Sequence, residues 1–292
     1  MAVTRENTLY GALLVTFAGC CFASAGLFVQ LASRHAGEFL ISFGSLTLCA
    51  VIVVPFALAR GRRFLVSQHT GLLIVRSVIG VIQVVSLFVA LQTISLVDTV
   101  LLRDAAPLWI PVLLMLFWNQ TMPNKLWIGI ILGFVGMALV LHPSYTTFES
   151  GYLFAIGAGV LFAFQSILSR RIDEVGEPLL RTTTYIFITG SVLMAVPAAM
   201  QWQPVPIETL IHIALSGVCL LASTTSLVFA YNFAPAYVLA PFGYSAVVFS
   251  ALLDWLLYDH VPTGWTVLGA VLVVAASLLI IRMTRRQKTT KG

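Results

Sequence analysis

Apolar runs of about twenty residues recur along this chain from end to end, and that feature limits its fold more than any other. Bounded by charges, Pro or Gly, they cover 9–31, 38–59, 71–93, 96–118 and 125–141, then 151–169, 179–200, 208–232, 236–257 and 264–281. In hydrocarbon every backbone N–H and C=O must be satisfied within its own segment, so runs of this length imply helices even where Val and Ile dominate. The expected fold class is an all-α membrane protein with ten transmembrane helices. Composition agrees: 59% of the 292 residues are apolar and 9% are charged, against about 25% charged in a soluble domain. No stretch is left for a soluble catalytic or nucleic-acid-binding domain.

The net charge of +5 and pI near 9.2 therefore have to be read by position. With a cytoplasmic N-terminus, thirteen of the 16 Lys and Arg fall on the cytoplasmic side and only Arg34 on the other, while Arg76 and Arg103 lie within spans. That is a strong positive-inside bias, and it places both termini in the cytoplasm. The basic tail from Arg282 to Lys291 reads as a membrane-flanking stop signal, so no nucleic acid is expected as a partner. Ala23-Ser24-Ala25 resembles a signal-peptidase site, yet its apolar run continues to Leu31, which is long for a signal segment. Cys20, Cys21, Cys49 and Cys219 sit inside apolar runs without the spacing of a disulfide or zinc framework, so neither metal nor cofactor is expected.

The ten spans fall into two groups of five that are related. A displacement of 140 positions brings Gly11, Gly19, Phe22 and Ala23 onto Gly151, Gly159, Phe162 and Ala163, and Ser86, Leu87 and Ala90 onto Ser226, Leu227 and Ala230. With a small gap, Gly37-Glu38 meets Gly176-Glu177 and Pro55 meets Pro197. The expected units are residues 1–145 and 146–292. An odd number of spans per unit makes the second enter the membrane with opposite polarity, giving an inverted repeat of the kind found in secondary transporters.

Phe88-Val89-Ala90-Leu91, Ala106-Pro107-Leu108 and Trp127-Ile128-Gly129 in the first unit, and Leu239-Ala240-Pro241-Phe242-Gly243-Tyr244-Ser245, Pro262 and Leu268-Gly269-Ala270 in the second, resemble the drug/metabolite transporter superfamily. Within it the likeness is to the EamA-type ten-helix carriers, and it covers nearly the whole chain. The resemblance implies alternating-access movement of small organic solutes, often amino acids and other metabolites, usually outward across a bacterial inner membrane. It implies no enzyme activity. Where the family commonly carries Gly-Glu at the end of the fourth and ninth spans, this chain has Asn119-Gln120 and Asp259-His260.

Ionisable groups in hydrocarbon cost about 2.5 to 3.5 kcal/mol each on insertion scales. Arg103 and Asp104 lie roughly 10 Å below the non-cytoplasmic end of the fourth span and cannot readily reach water. On a regular helix they point about 100° apart and would not form a simple pair on one face. One reading makes Arg103 the partner of a substrate carboxylate or phosphate, with Asp104 as counter-ion or amine partner. The other makes them a network tying helices together. Gln83, Gln165, Tyr244 and Ser245 are neutral polar candidates to line a cavity, as are Ser86, Ser166, Thr224, Thr225 and Asn232. Trp109 and Tyr244 could stack on a heterocyclic substrate. Asp104 and Asp254 are the candidates to carry a coupling proton, Asp254 lying nearer a helix end with access to water, whereas Asp98 and Arg76 read as interfacial. Expected partners are a small-molecule substrate and membrane lipid, with the chain a monomer or weak dimer. An amphoteric or anionic metabolite is the first substrate reading; a nucleotide-like or S-adenosylmethionine-like solute is the second. No Gly-x-Ser-x-Gly, His-Glu-x-x-His or phosphate-loop motif is present to support an enzyme.

Overall fold

A computed structural model describes residues 5–119, 124–141, 149–230, 233, 242–258 and 263–289. Eleven α-helices occupy the described residues, with no strand among them. They are α1 (Arg5–Ala32), α2 (Glu38–Leu58), α3 (Thr70–Leu91), α4 (Leu96–Asp104), α5 (Ala106–Trp118) and α6 (Asn124–Leu141). The second half supplies α7 (Ser150–Glu174), α8 (Leu179–Met200), α9 (Ile207–Ala230), α10 (Ser245–Tyr258) and α11 (Gly264–Thr289).

Among the described residues six helical stretches are long and apolar enough to cross a bilayer: Leu9–Ala32, Glu38–Leu58, Thr70–Leu91, Ser150–Ser169, Leu179–Met200 and Ile207–Leu227. Three shorter apolar stretches, Trp127–Gly136, Ser245–Leu257 and Gly264–Ala276, accompany them. Large apolar side chains such as Phe56, Leu116, Val192 and Leu256 stand exposed around the outside. In water that surface would be penalised; in lipid it is the ordinary exterior, and the protein is a multi-pass membrane protein.

The expected fourth span, 96–118, is not one helix. It is broken at Ala105 into α4 and α5, which bend by 41°. Pro107 is the physical reason. It has no N–H to continue the ladder back to Arg103, so the chain turns at Ala105 (φ −71, ψ 4) and restarts with Pro in the first turn of α5.

Helix pairing follows a regular scheme. α1 packs on α9 and α10, α3 on α7 and α8, α2 on α8 and α9, α4 and α5 on α7, α4 on α10, and α6 on α11. Take α4 and α5 as one span and exchange the halves. The α1–α9 contact then becomes α7–α3, α1–α10 becomes α7–α4, and α2–α9 becomes α8–α3; α2–α8, α4–α10 and α6–α11 map onto themselves. α2 and α8 each carry a Pro near the end, Pro55 and Pro197, and stop three residues later. Close packing uses small residues: a Cβ on Gly136 of α6 would stand 2.9 Å from Gly269 O and Val273 N of α11.

At one end of the bundle the α2–α3 connection meets the α7–α8 connection: Ser67 Oγ donates to Glu177 Oε1, Arg181 Nη1 pairs with Glu177 Oε2 at 2.6 Å, and Tyr185 Oη donates to Leu65 O at 2.8 Å. Gly61 (φ 96) and Gly176 (φ 77) turn the chain here in the left-handed region that glycine adopts freely. Burial alone would raise the Glu177 carboxyl. The Ser67 hydroxyl and the Arg181 guanidinium outweigh it and hold the pKa below the ordinary 4.5.

Candidate functional site

Four helices meet where the fourth span breaks. Gly19 of α1 lies against α10, where a Cβ would stand 2.5 Å from Ser245 Oγ and 2.9 Å from Ala246 N. Gly159 of α7 lies in the equivalent way against α4, where a Cβ would stand 2.7 Å from Leu102 O. Neither glycine can take a side chain unless the helices part. One turn further along each helix come Phe22 and Phe162. Both rings face Arg103, whose guanidinium carbon is 4.2 Å from the Phe22 centroid and 3.9 Å from that of Phe162. Each such contact is worth about 0.5 to 2 kcal/mol, more as water is excluded.

Arg103 Nη1 also donates to Asp104 Oδ1 at 2.6 Å. This corrects the expectation that neighbours 100° apart would not pair. That angle holds for a continuing helix, but Asp104 is the last residue of α4 and the Arg stem is long enough to curl back over the break. The two side chains are 14% and 13% exposed. A pair so withdrawn from water feels much stronger attraction than a surface pair, at the cost of desolvating both charges.

The pair does not exhaust the arginine, which carries five N–H donors. Its Nε is buried without a hydrogen-bond partner among the described residues, and so are Trp109 Nε1 and Ser245 Oγ. Leaving a buried donor unmade costs about 1 to 3 kcal/mol, so the crossing carries polar groups that its own fold does not satisfy.

The other expected site residues are dispersed. Tyr244 is buried in the turn just before α10, next to Ser245. Trp109 on α5 sets its ring edge against Phe134 of α6 at 4.8 Å, which is aromatic packing. Gln165 lies between α7 and α3, with Nε2 2.5 Å from where a Gly80 Cβ would be, and Gln83 is buried on α3 itself. The hydroxyls of Ser166 and Thr224 are taken up by the carbonyls of Phe162 (2.7 Å) and Leu220 (2.8 Å) in their own helices, and Thr225 bonds Leu221 O likewise. Asn232, Gln120, Asp259-His260 and Leu239-Ala240-Pro241 lie outside the described residues.

Asp254 requires a correction. It is only 1% exposed and does not reach water; its Oδ2 accepts the Val97 N–H at 2.8 Å. A carboxylate from α10 thus satisfies one of the open donors at the N-terminus of α4, where the helix dipole also favours negative charge. Asp98, in the same turn, accepts from Tyr152 Oη at 3.4 Å, and Arg76 Nε donates to Ser169 Oγ at 3.1 Å, so both are engaged by protein as well as lying near helix ends. An apolar groove of about 510 Å³ lined by Val112, Trp127, Ile130, Ile131, Phe134 and Val135 offers no polar group and suits an acyl chain.

Sequence reasoning missed Phe22 and Phe162 as site residues. Their signal is present, since both belong to the Gly and Phe-Ala pattern repeated at 140 positions, but that pattern marks duplication and family likeness without marking a site.

The crossing is thus a buried ion pair with donors to spare, set inside a helical membrane bundle. The profile of the EamA-like transporter family matches residues 9–142 and again 149–282, the second match beginning 140 residues after the first. The chain belongs to that family, whose named relatives are transporters and not enzymes. It is 25% identical to the S-adenosylmethionine uptake transporter of Rickettsia bellii (strain RML369-C), over 87% of each chain. It is 23% identical to the riboflavin transporter of Vibrio cholerae, over 94% of each. With the pseudopaline exporter of Pseudomonas aeruginosa it shares 24% identity, over 93% of this chain and 96% of that one. A solved crystal structure superposes with a TM-score of 0.64 at 20% identity, covering 94% of this chain and 98% of the other, which shows a shared fold.

Proposed function

We propose that the chain is an alternating-access carrier for small amphoteric metabolites, amino acids among them, built from two inverted five-span repeats, residues 1–145 and 146–292. Two observations support the architecture. The helix contacts map onto one another when the halves are exchanged, and the family profile matches twice; an odd number of spans in each half would invert the second copy. Both termini then lie in the cytoplasm of a bacterial cell, with the inner membrane as the location. Single cysteines replacing Arg62 and Ser150 test this directly: the first should be closed to an external impermeant reagent and the second should label.

The observation that carries the substrate reading is the Arg103–Asp104 pair beside an Arg103 Nε with no partner. A purely anionic or cationic solute entering the crossing would take one member and leave the other as an uncompensated buried charge, a penalty of about 3 to 5 kcal/mol. A zwitterion exchanges partners instead. Its carboxylate takes Arg103, its ammonium takes Asp104, and the number of ion pairs does not fall. Competition against labelled amino-acid uptake in proteoliposomes tests this: a free amino acid should compete, whereas its decarboxylated amine and its deaminated acid should each compete at least about tenfold less well. Equal competition by all three would reject the exchange. The same assay with and without an imposed pH gradient separates a proton-coupled carrier, with Asp254 or Asp104 as the proton site, from a facilitator.

A second substrate reading, an S-adenosylmethionine-like solute, is favoured by the rings of Phe22 and Phe162 beside the charges. Such a solute presents the same zwitterion together with a planar base. Direction is open to assay, because one similar carrier is named for uptake and another for export.

A further inference from the structure

We infer that Phe22 and Phe162 form an aromatic slot that selects a planar group on the substrate, and that the Arg103 guanidinium fills this slot while no substrate is bound. The inference rests on the reading of the Arg103–Asp104 crossing as the substrate site, and goes beyond it by assigning specificity to two residues outside the charged pair.

The two rings come from equivalent places, 140 positions apart on α1 and α7, so each half of the molecule supplies one wall. With both centroids near 4 Å from one carbon atom, they stand no more than about 8 Å apart, room for a single planar layer and not for two. A guanidinium is flat, delocalised and comparable in thickness to a heteroaromatic ring, which makes it a fair occupant of the space that such a ring would take. Both phenylalanines are half-buried, not sealed in the core. Gly19 and Gly159, one turn earlier, hold α10 and α4 close against α1 and α7, the first contact made by the Ser245 hydroxyl and the Ala246 backbone and the second by the backbone of Leu102 and Arg103, so both walls are braced.

Occupancy by Arg103 is incomplete as a bonding arrangement. Its buried Nε has no partner there, and an aromatic face offers none of the lone pairs that a carboxylate presents to a guanidinium. An entering planar base would displace the guanidinium from between the rings and free its unused donors to meet the substrate carboxylate. Ring entry and charge recognition become a single exchange: one flat group leaves the slot as another enters, and the arginine gains an in-plane acceptor in place of a stacked face. Solutes that carry the zwitterion without a planar group would leave Arg103 to divide itself between rings and carboxylate, and so would bind less tightly.

A matched pair of probes tests this. S-adenosylmethionine and S-methylmethionine share the sulfonium, the carboxylate and the ammonium, and differ in the planar base and its sugar. Equilibrium binding of each is measured on the purified full chain in detergent, for wild type and for Phe22→Leu, Phe162→Leu, Phe22→Tyr and Phe162→Tyr. The wild type should prefer S-adenosylmethionine by about tenfold or more. Each Leu variant should lose most of that preference, because its wall no longer stacks on the base and no longer holds Arg103 back from the carboxylate of S-methylmethionine, and each Tyr variant, which keeps the ring, should retain it. A preference unchanged in both Leu variants overturns the slot, as does its loss in the Tyr variants. Should the Leu variants not fold, the Tyr variants and adenosine as a competitor decide the matter: adenosine that fails to compete with S-adenosylmethionine on wild type overturns the slot. Arg103→Gln separates the two readings. Probe binding that depends on Arg103 but not on the rings removes the slot and leaves the charge site standing, whereas binding indifferent to Arg103 removes the site itself.

Discussion

The two halves of this carrier pack alike but differ in chemistry at the same inner crossing. Gly19 and Phe22 on α1 have their counterparts in Gly159 and Phe162 on α7, and each glycine admits the backbone of a helix from the other half. Yet α1 is met by Ser245 and Ala246 at the start of α10, while α7 is met by Leu102 and Arg103 at the end of α4. The first half brings an ion pair to the crossing and the second brings a hydroxyl. Packing has to be preserved in both halves because helices without a hydrophobic driving force between them depend on close approach. Polar side chains at the crossing carry no such constraint, and there the two halves differ.

The largest effect that would break this comparison is steric. Gly19→Val and Gly159→Val each place methyl groups where even a Cβ meets Ser245 Oγ at 2.5 Å or Leu102 O at 2.7 Å. Both should abolish transport, and to a similar degree; normal uptake by either variant in proteoliposomes would mean that the halves do not share this contact. Next comes charge. Arg103→Gln should reach the membrane at near-normal levels and raise the half-saturating concentration at least about tenfold, a loss of about 1.4 kcal/mol, whereas Tyr244→Phe in the other half should change it by less than about threefold. If Arg103→Gln and Asp104→Asn instead both fail to accumulate, the pair is a tie between helices.

Asp254→Ala sharpens the comparison from another side, since it removes the α10 carboxylate that accepts from Val97 N at the start of α4. Loss of such a cap costs about 1 to 2 kcal/mol, which should appear as a lowered melting temperature in detergent, with Asp254→Asn recovering most of it because an acceptor remains. Recovery of stability without recovery of pH-driven transport would identify Asp254 as a proton site as well as a cap. The smallest effect concerns Glu177. Its pKa is held below 4.5, so the stabilisation is fully present above that value and is lost as pH falls through the lowered folded pKa. Glu177→Gln should cost about 1 kcal/mol or less at neutral pH, and the difference from wild type should vanish in acid. A difference that persists there would point to packing instead of charge.

Much of the molecule could be read before any coordinates. The described helices follow the apolar runs closely, α2 at Glu38–Leu58 and α8 at Leu179–Met200 against expectations of 38–59 and 179–200. Arg103 and Asp104 were singled out because ionisable groups in hydrocarbon are expensive. Reading failed where local regularity was assumed. The break at Ala105 removes the 100° separation expected of a continuing helix, and Pro107 is its mark in the sequence. The place of Asp254 near a helix end predicts access to water, and α4 packed beside it, which no distance along the chain reveals, closes that access.

What the sequence determined by itself is the solvent of the fold, since hydrocarbon demands long apolar helices, together with a pattern of letters repeated at 140 positions. The tertiary structure alone decided who meets whom at the crossing. Arg103 lies 81 residues from Phe22 and 59 from Phe162 in the chain, and no periodicity links three such residues. They come together because two glycines allow four helices to approach and because one proline breaks the helix that carries the charge. Those are properties of packed backbones, and they acquire their meaning only when distant segments share the same few ångströms.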